Sequence, residues 1–181
     1  QPGLVARLEQ ATGAPVVVME SPRGGKDPSL GGIASVLPEA DRVVLLGKPM
    51  DFTLQFGGVA PKASWAVINA DASEILRAKR NGTARVTLDI TDDPVAVAEA
   101  LCAHATTKGY GAWMETVHAA SARRDMSVSK GAIHPNDICA AVQAVLEVAT
   151  HPVLVCDGGE FGQWAQAGIT APRRIINGVS G

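Results

Sequence analysis

Aromatic side chains make up only 4% of the 181 residues, a shortage that argues against the stacking platforms on which single-stranded nucleic acids are held. The charge balance points the same way. Sixteen Lys+Arg against 18 Asp+Glu leave a net charge of -2, without the basic footprint of a nucleic-acid binder. Long hydrophobic runs are missing too: none approaches the roughly 20 residues that span a bilayer. The opening QPGLVARLEQ lacks the charged and apolar regions of a signal peptide. Nucleic acid and membrane are therefore not expected partners, and a cytoplasmic home is the expectation.

Cysteine is scarce and unpatterned. Cys102, Cys139 and Cys156 lie singly among Ala, Val and Leu, with no CxxC, and read as small buried residues in a reducing compartment. His104, His118, His134 and His151 never fall at metal spacing with a second ligand, so no metal site is predicted. Paired carboxylates, a Ser/His/Asp arrangement, a P-loop and a complete GxGxxG are all absent, so no catalytic residue is predicted either.

What the chain does have is Ala, Val and Gly in the alternation of strands and helices that marks an α/β protein. A helical pattern with apolar Leu4, Val5, Leu8 and Ala11 ends at Gly13, a C-terminal cap. PVVVME, Pro15 to Glu20, is a continuous apolar run of the kind buried on both faces of a parallel sheet. A Gly/Pro-rich loop, Ser21 to Gly32, and a short helix follow. Further strands are expected at Asp41 to Gly47, Ser64 to Asp71 and Ala84 to Ile90, with a loop or helical turn at KPMDFTLQFGG and a helix over Glu74 to Lys79. Asp92-Asp93-Pro94 opens a helix running to about Thr107, Asp before Pro being a good start signal. The expected fold class is α/β, a parallel sheet with helices on both faces in a dinucleotide-binding-like arrangement.

From Lys108 to Ala132 the chain is polar and mixed in charge, and reads as a connector with a helical middle. Ile133-His134-Pro135-Asn136-Asp137 then caps a helix whose apolar face is Ile138, Val142, Val145, Leu146 and Ala149. Pro152 introduces a strand within VLVCDGGEFGQW, Val153 to Trp164. This divides the chain into a domain over 1–107, a connector over 108–132 and an incomplete second α/β unit over 133–181. A lone strand from His151 to Cys156 leaves backbone groups unpaired on both edges, so it is expected to extend the first sheet or to pair with the same segment of a second chain.

Two places could carry a ligand. At Asp157-Gly158-Gly159 a strand delivers the chain to the carboxyl edge of a sheet, glycines let the backbone approach a ligand, and the next helix offers free N–H groups at its positive end. The same two glycines also serve as a tight turn with no ligand. Asp71 and Glu74, at the end of a strand, could accept hydrogen bonds from a ribose hydroxyl or adenine, or could form a capping box with no ligand at all. Lys26, Arg23 and Lys48 lie in loops after strands, where they could meet phosphates or simply be solvated.

Taken in order, ADRVVLLGKPMDFTLQFG, INADASEI, IHPNDICAAVQAVL and VLVCDGGEFGQW resemble one family, the thiamine-diphosphate-dependent enzymes of the acetolactate synthase, benzaldehyde lyase, oxalyl-CoA decarboxylase and 2-hydroxyacyl-CoA lyase type. The resemblance covers nearly the whole chain, and the second segment matches the family's pattern at Asp71, Glu74 and Ile75. It implies a piece of a three-domain, oligomeric enzyme: most of the central domain, the connector and the start of the diphosphate-binding domain. It also implies a central-domain first strand before Gln1, a catalytic Glu in a pyrimidine-binding domain, and a GDG metal motif beyond Gly181. Gly159, Glu160 and Phe161 match the turn that touches the diphosphate. Gly47, Asp71 and Glu74 match the groove that in some members takes a nucleotide.

In the parent enzyme the resemblance implies thiamine diphosphate with Mg, the cofactor serving as electron sink in the decarboxylation or ligation of 2-keto acids or 2-hydroxyacyl compounds. The piece itself is expected to be inactive, to need the missing domains as partners, and to hold no cofactor tightly. Pro49, with Lys48 beside it, stands where flavin-dependent members carry an Arg, so FAD is not carried over, while ADP or CoA remains compatible with the groove. A different reading is a self-contained nucleotide-binding module similar to sirtuin or electron-transfer flavoprotein domains, which would need a complete glycine-rich first turn.

Overall fold

The computed structural model describes residues 3–19, 24–80, 85–106, 109–124, 131–157 and 160–176. Its centre is a parallel sheet of three strands in the order β1 (Arg42–Leu46), β2 (Ser64–Asn69), β3 (Arg85–Thr91). The register runs Leu46↔Ile68↔Ile90, with one irregularity between Trp65 and Ala66 where β3 pairs. β2 lies between two strands and under cover on both faces, and every one of its residues is buried. Trp65 and Val67 point to one face, joining Leu45, Met50, Leu54, Ile75 and Ala78 in the main core. α3 (Ala72–Arg80) supplies the last two. α4 (Pro94–His104) packs on β1 and β2, and α1 (Leu4–Thr12) packs in turn on α4. Helices thus flank a parallel sheet, the expected α/β class.

One expected strand is not there. Pro15 to Met19 forms no strand, and Val18 is 53% exposed; Glu20 lies outside the described residues. Its side chains still serve the core, Met19 packing against the main cluster and Val17 against a second one under α5 (Gly111–Ala122). A strand exists only when a neighbour takes up its N–H and C=O groups, and among the described residues the sheet holds β1, β2 and β3 alone.

The Gly/Pro-rich loop is an ordered scaffold over its described part. Tight 3-10 turns at Gly24–Lys26 and Pro28–Leu30 lead into α2 (Ile33–Val36). Asp27 caps the second turn, its carboxylate accepting from Ser29 N at 2.8 Å, while its other oxygen is buried without a partner among the described residues. α5 is the helical middle of the connector, and it is gripped at both ends. At its start Tyr110 N donates to Gly13 O at 3.0 Å; at its end Ala120 O accepts from Gly32 N at 2.7 Å.

The last unit consists of α6 (Pro135–Val148), β4 (Val153–Cys156), α7 (Glu160–Gly168) and β5 (Arg173–Ile176). β4 does not extend the first sheet: among the described residues it pairs in parallel with β5, an element the sequence reading missed. The inward face of α6 is also rotated from expectation. Cys139, Val142 and Leu146 pack on Leu154, Cys156, Ala165 and Ile169, whereas Ile138 and Val145 are exposed. Burial raises the Cys139 and Cys156 thiols above their ordinary pKa, in keeping with inert core residues. The other face of the small sheet shows Val153, Val155 and Ile175 to solvent. α7 also packs against the Pro28–Leu30 turn, which seats this unit on the first.

Candidate functional site

At the carboxyl edge of the first sheet the three strand ends converge through backbone bonds. Gly47 N donates to Ile68 O at 2.9 Å, and Asp92 N donates to Asn69 O at 3.2 Å. The structure therefore does bring the region of Gly47 together with that of Asp71 and Glu74. Each residue, however, has a local task. Gly47 has φ +74, a conformation that suits glycine, and a Cβ there would lie 3.2 Å from Pro94 Cγ at the start of α4. Asp71 caps α3, its carboxylate accepting from Ser73 N at 2.8 Å. That backbone bond first, then the Ser73 side chain and Arg77, hold the Asp71 carboxyl below its ordinary pKa despite the opposing effect of burial.

Glu74 departs from the capping-box expectation. Asp71 N donates to Asn69 Oδ1, not back to Glu74, so the box stays open. Glu74 Oε1 pairs with Arg77 at 3.0 Å, and Oε2 is buried without a hydrogen-bond partner among the described residues. An orphaned carboxylate oxygen at this edge suits a donor such as a hydroxyl. Asp92 and Asp93, which the reading used only as a helix start, add two more carboxylates here, Asp93 capping α4 through Val95 N at 3.0 Å. Together with exposed Asp71 they make the edge acidic.

The loop after β1 was read only as a loop or helical turn, yet it holds two non-glycine residues with positive φ. Gln55 (φ 49) and Phe56 (φ 51) both adopt left-handed conformations that cost energy for non-glycine residues. Asp51 holds the loop: its carboxylate accepts from Thr53 N and Lys48 Nζ at 2.9 Å, and its carbonyl accepts from Phe56 N at 2.9 Å. Burial raises the Asp51 pKa, but the bonds from Thr53 and Lys48 outweigh it and leave the carboxyl below its ordinary value. That stabilisation is present above about pH 4 and is lost as the pH falls through the folded-state value. Phe52 and Phe56 stand exposed on this loop. Lys48 is thus committed to Asp51, while Arg23 and the Lys26 side chain lie outside the described residues.

Of the diphosphate turn, Gly158, Gly159 and the Glu160 side chain also lie outside the described residues. The strand before it and the helix after it are as expected, with Phe161 exposed at the start of α7. The residue that sequence reasoning missed is Gly162. A Cβ there would lie 2.3 Å from Asp157 O, a backbone atom that cannot swing aside, so only glycine lets the first turn of α7 close against the end of β4. The glycine in GEFGQW was the available signal. Gly162→Ala is expected to push α7 off the strand end and to destabilise the fold by about 1–3 kcal/mol. Urea denaturation measures this, and an unchanged midpoint would show that the turn is not closed.

Among the described residues no group of His, Cys, Asp and Glu could hold a metal ion, and no helix is long and apolar enough to cross a membrane. No family model matches the chain. Its sequence is 30% identical, over 137 residues, to a probable acetolactate synthase of Mycobacterium bovis and to the acetolactate synthase large subunit IlvG of Mycobacterium tuberculosis. The match covers 73% of this chain but 24% of each relative, so the chain spans about a quarter of their length. By sequence, this α/β chain is similar to one part of the acetolactate synthases.

Proposed function

We propose that these residues form the central domain, connector and start of the diphosphate-binding domain of a thiamine-diphosphate- and Mg-dependent decarboxylase or carboligase acting on 2-keto acids or 2-hydroxyacyl compounds. The observation that carries this reading is the likeness to the acetolactate synthases, whose named activity implies such a cofactor. The strand β4 and the helix α7 on either side of the diphosphate turn support it, because a helix that follows a strand's carboxyl end offers free N–H groups to a phosphate. Gly159, Glu160 and Phe161 would hold the diphosphate through their backbone, aided by the positive end of α7. When bound, the cofactor supplies an electron sink for a carbanion. The groups of this chain bind and orient; none is assigned a proton-transfer role. Mg ligands and the pyrimidine-binding partner are expected from other parts of a longer, oligomeric enzyme.

The first sheet is mainly architectural in this reading, since Gly47 and Asp71 are accounted for by a turn and a cap. Glu74 Oε2 favours a second reading, in which the acidic edge takes the ribose hydroxyls of ADP or CoA without catalysis. Full-length protein assayed with a 2-keto acid should turn over only with thiamine diphosphate and Mg; cofactor-independent turnover, or none, sinks the first reading. For the 181-residue chain, calorimetry at millimolar thiamine diphosphate with Mg should give no saturable heat. Saturable binding there would show a self-sufficient site, and tight ADP binding would favour the second reading.

A further inference from the structure

α6 is apolar on two sides. Cys139, Val142 and Leu146 rest on Leu154 and Cys156 of β4, whereas Ile138, Ala141, Val145 and Val148 stand exposed, Val145 at 65% and Val148 at 84%. The exposed four follow steps of three, four and three residues, the spacing of a seam that takes a second helix. At about 100° per residue they lie across the helix from Gln143 and Glu147. α7 is on that other side: Gln143 Oε1 accepts from Thr170 N at 2.8 Å, just past the end of α7, and Gln143 and Glu147 line one cavity with Ala167 and Gly168. Because α7 links β4 to β5, the bare seam stands on the flank away from β5.

β4 is bare on the same flank. Its one pairing among the described residues is with β5, so its other edge carries free N–H and C=O groups, and Val153–Cys156 has no charge, proline or bulge to blunt it. Whatever covers this flank must offer a strand edge and, in the layer above it, an apolar helix side. This unit offers both itself. We propose that a second copy of the chain docks here about a two-fold axis, β4 pairing antiparallel with its counterpart and the α6 seam packing on its counterpart, so that one sheet in the order β5-β4-β4-β5 runs through the dimer. The charges agree with this arrangement. Antiparallel helices oppose their dipoles, and the two copies of Asp137, in the first turn of α6, fall at opposite ends of the seam. A parallel approach would set those carboxylates side by side.

Light scattering tests the proposal on the 181-residue chain at about 100 μM, well above a micromolar dissociation constant. The mass should be twice the 18.7 kDa of one chain and should fall on dilution. Val145→Glu, on the seam, should return the monomer mass at the same concentration with an unchanged far-ultraviolet spectrum. Val148→Lys, at the most exposed seam position, gives the same reading if the first variant folds poorly. Val5→Glu, exposed on α1, is the control and should stay dimeric. In the dimer the β4 amides that do not bond to β5 should exchange with deuterium about tenfold more slowly than in Val145→Glu. A monomer at the starting concentration, a dimer that survives both seam variants, or a dimer whose β4 amides exchange as fast as the monomer's would overturn the proposal. None of these readouts involves thiamine diphosphate, so the cofactor assignment stands or falls separately.

Discussion

Gly31→Ala is expected to destabilise the folded chain by about 2–5 kcal/mol, the sum of backbone strain and overpacking. Gly31 has φ +58 and ψ -125, a region that side chains avoid. A Cβ there would sit 2.5 Å from Arg123 O and Ser121 O and 2.8 Å from Ala120 O, all backbone atoms at the end of α5. Relief would require α5 to move, yet α5 is anchored at its other end by the Tyr110–Gly13 bond. The strain would spread further, since the neighbouring Pro28–Leu30 turn also supports α7. Gly111→Ala is the control: nothing lies within 4 Å of its Cβ, and a helix residue gains from alanine by about 0.5–1 kcal/mol. Urea midpoints of the two variants should therefore move in opposite directions. If Gly31→Ala stays within experimental error of the parent chain, the grip on α5 has been misread.

Trp65→Ala is expected to cost about 3–5 kcal/mol, enough to bring a domain of ordinary stability close to unfolding. Trp65 is 1% exposed on the central strand and packs in one cluster with Leu45, Met50, Leu54 and Ile75, so no neighbour can close the space without distorting the sheet. Its Nε1 is buried without an acceptor among the described residues, which makes the indole an expensive choice. Trp65→Phe discards that donor while keeping most of the ring, and should cost less than half as much. Thermal and urea unfolding of both variants check this. Equal losses would mean that the N–H carries no penalty, and a loss below about 1 kcal/mol for Trp65→Ala would mean that the cluster collapses freely.

The first sheet was legible because its strands are of a kind that local pattern reports well. Asp41 to Gly47 and Ser64 to Asp71 are apolar runs bounded by turn residues, and both hold strands β1 and β2. Pro15 to Glu20 has the same local pattern and forms no strand over its described residues. Nothing in PVVVME itself distinguishes it. The difference is the neighbour, and pairing is a property of two segments. The reverse error explains β5. Arg173–Ile176 is short and half charged, too weak a signal to read, yet it is a strand because the edge of β4 lies beside it.

The candidate sites divide along the same line. That Asp71 and Asp93 start helices and that a strand runs into a turn and a helix after Cys156 are local, since caps and tight turns are decided within three or four residues. Composition and order alone determined the α/β class and the absence of long apolar spans. Only the tertiary structure decided that Asp92 and Asp93 share an edge with Asp71, that Glu74 keeps a buried oxygen without a partner among the described residues, and that Gly162 must lack a side chain. It alone decided which side of α6 meets β4. Each of these depends on atoms brought together from separate elements, and the free energy of a buried polar atom or a close backbone approach is set by what surrounds it, which no local stretch of chain specifies.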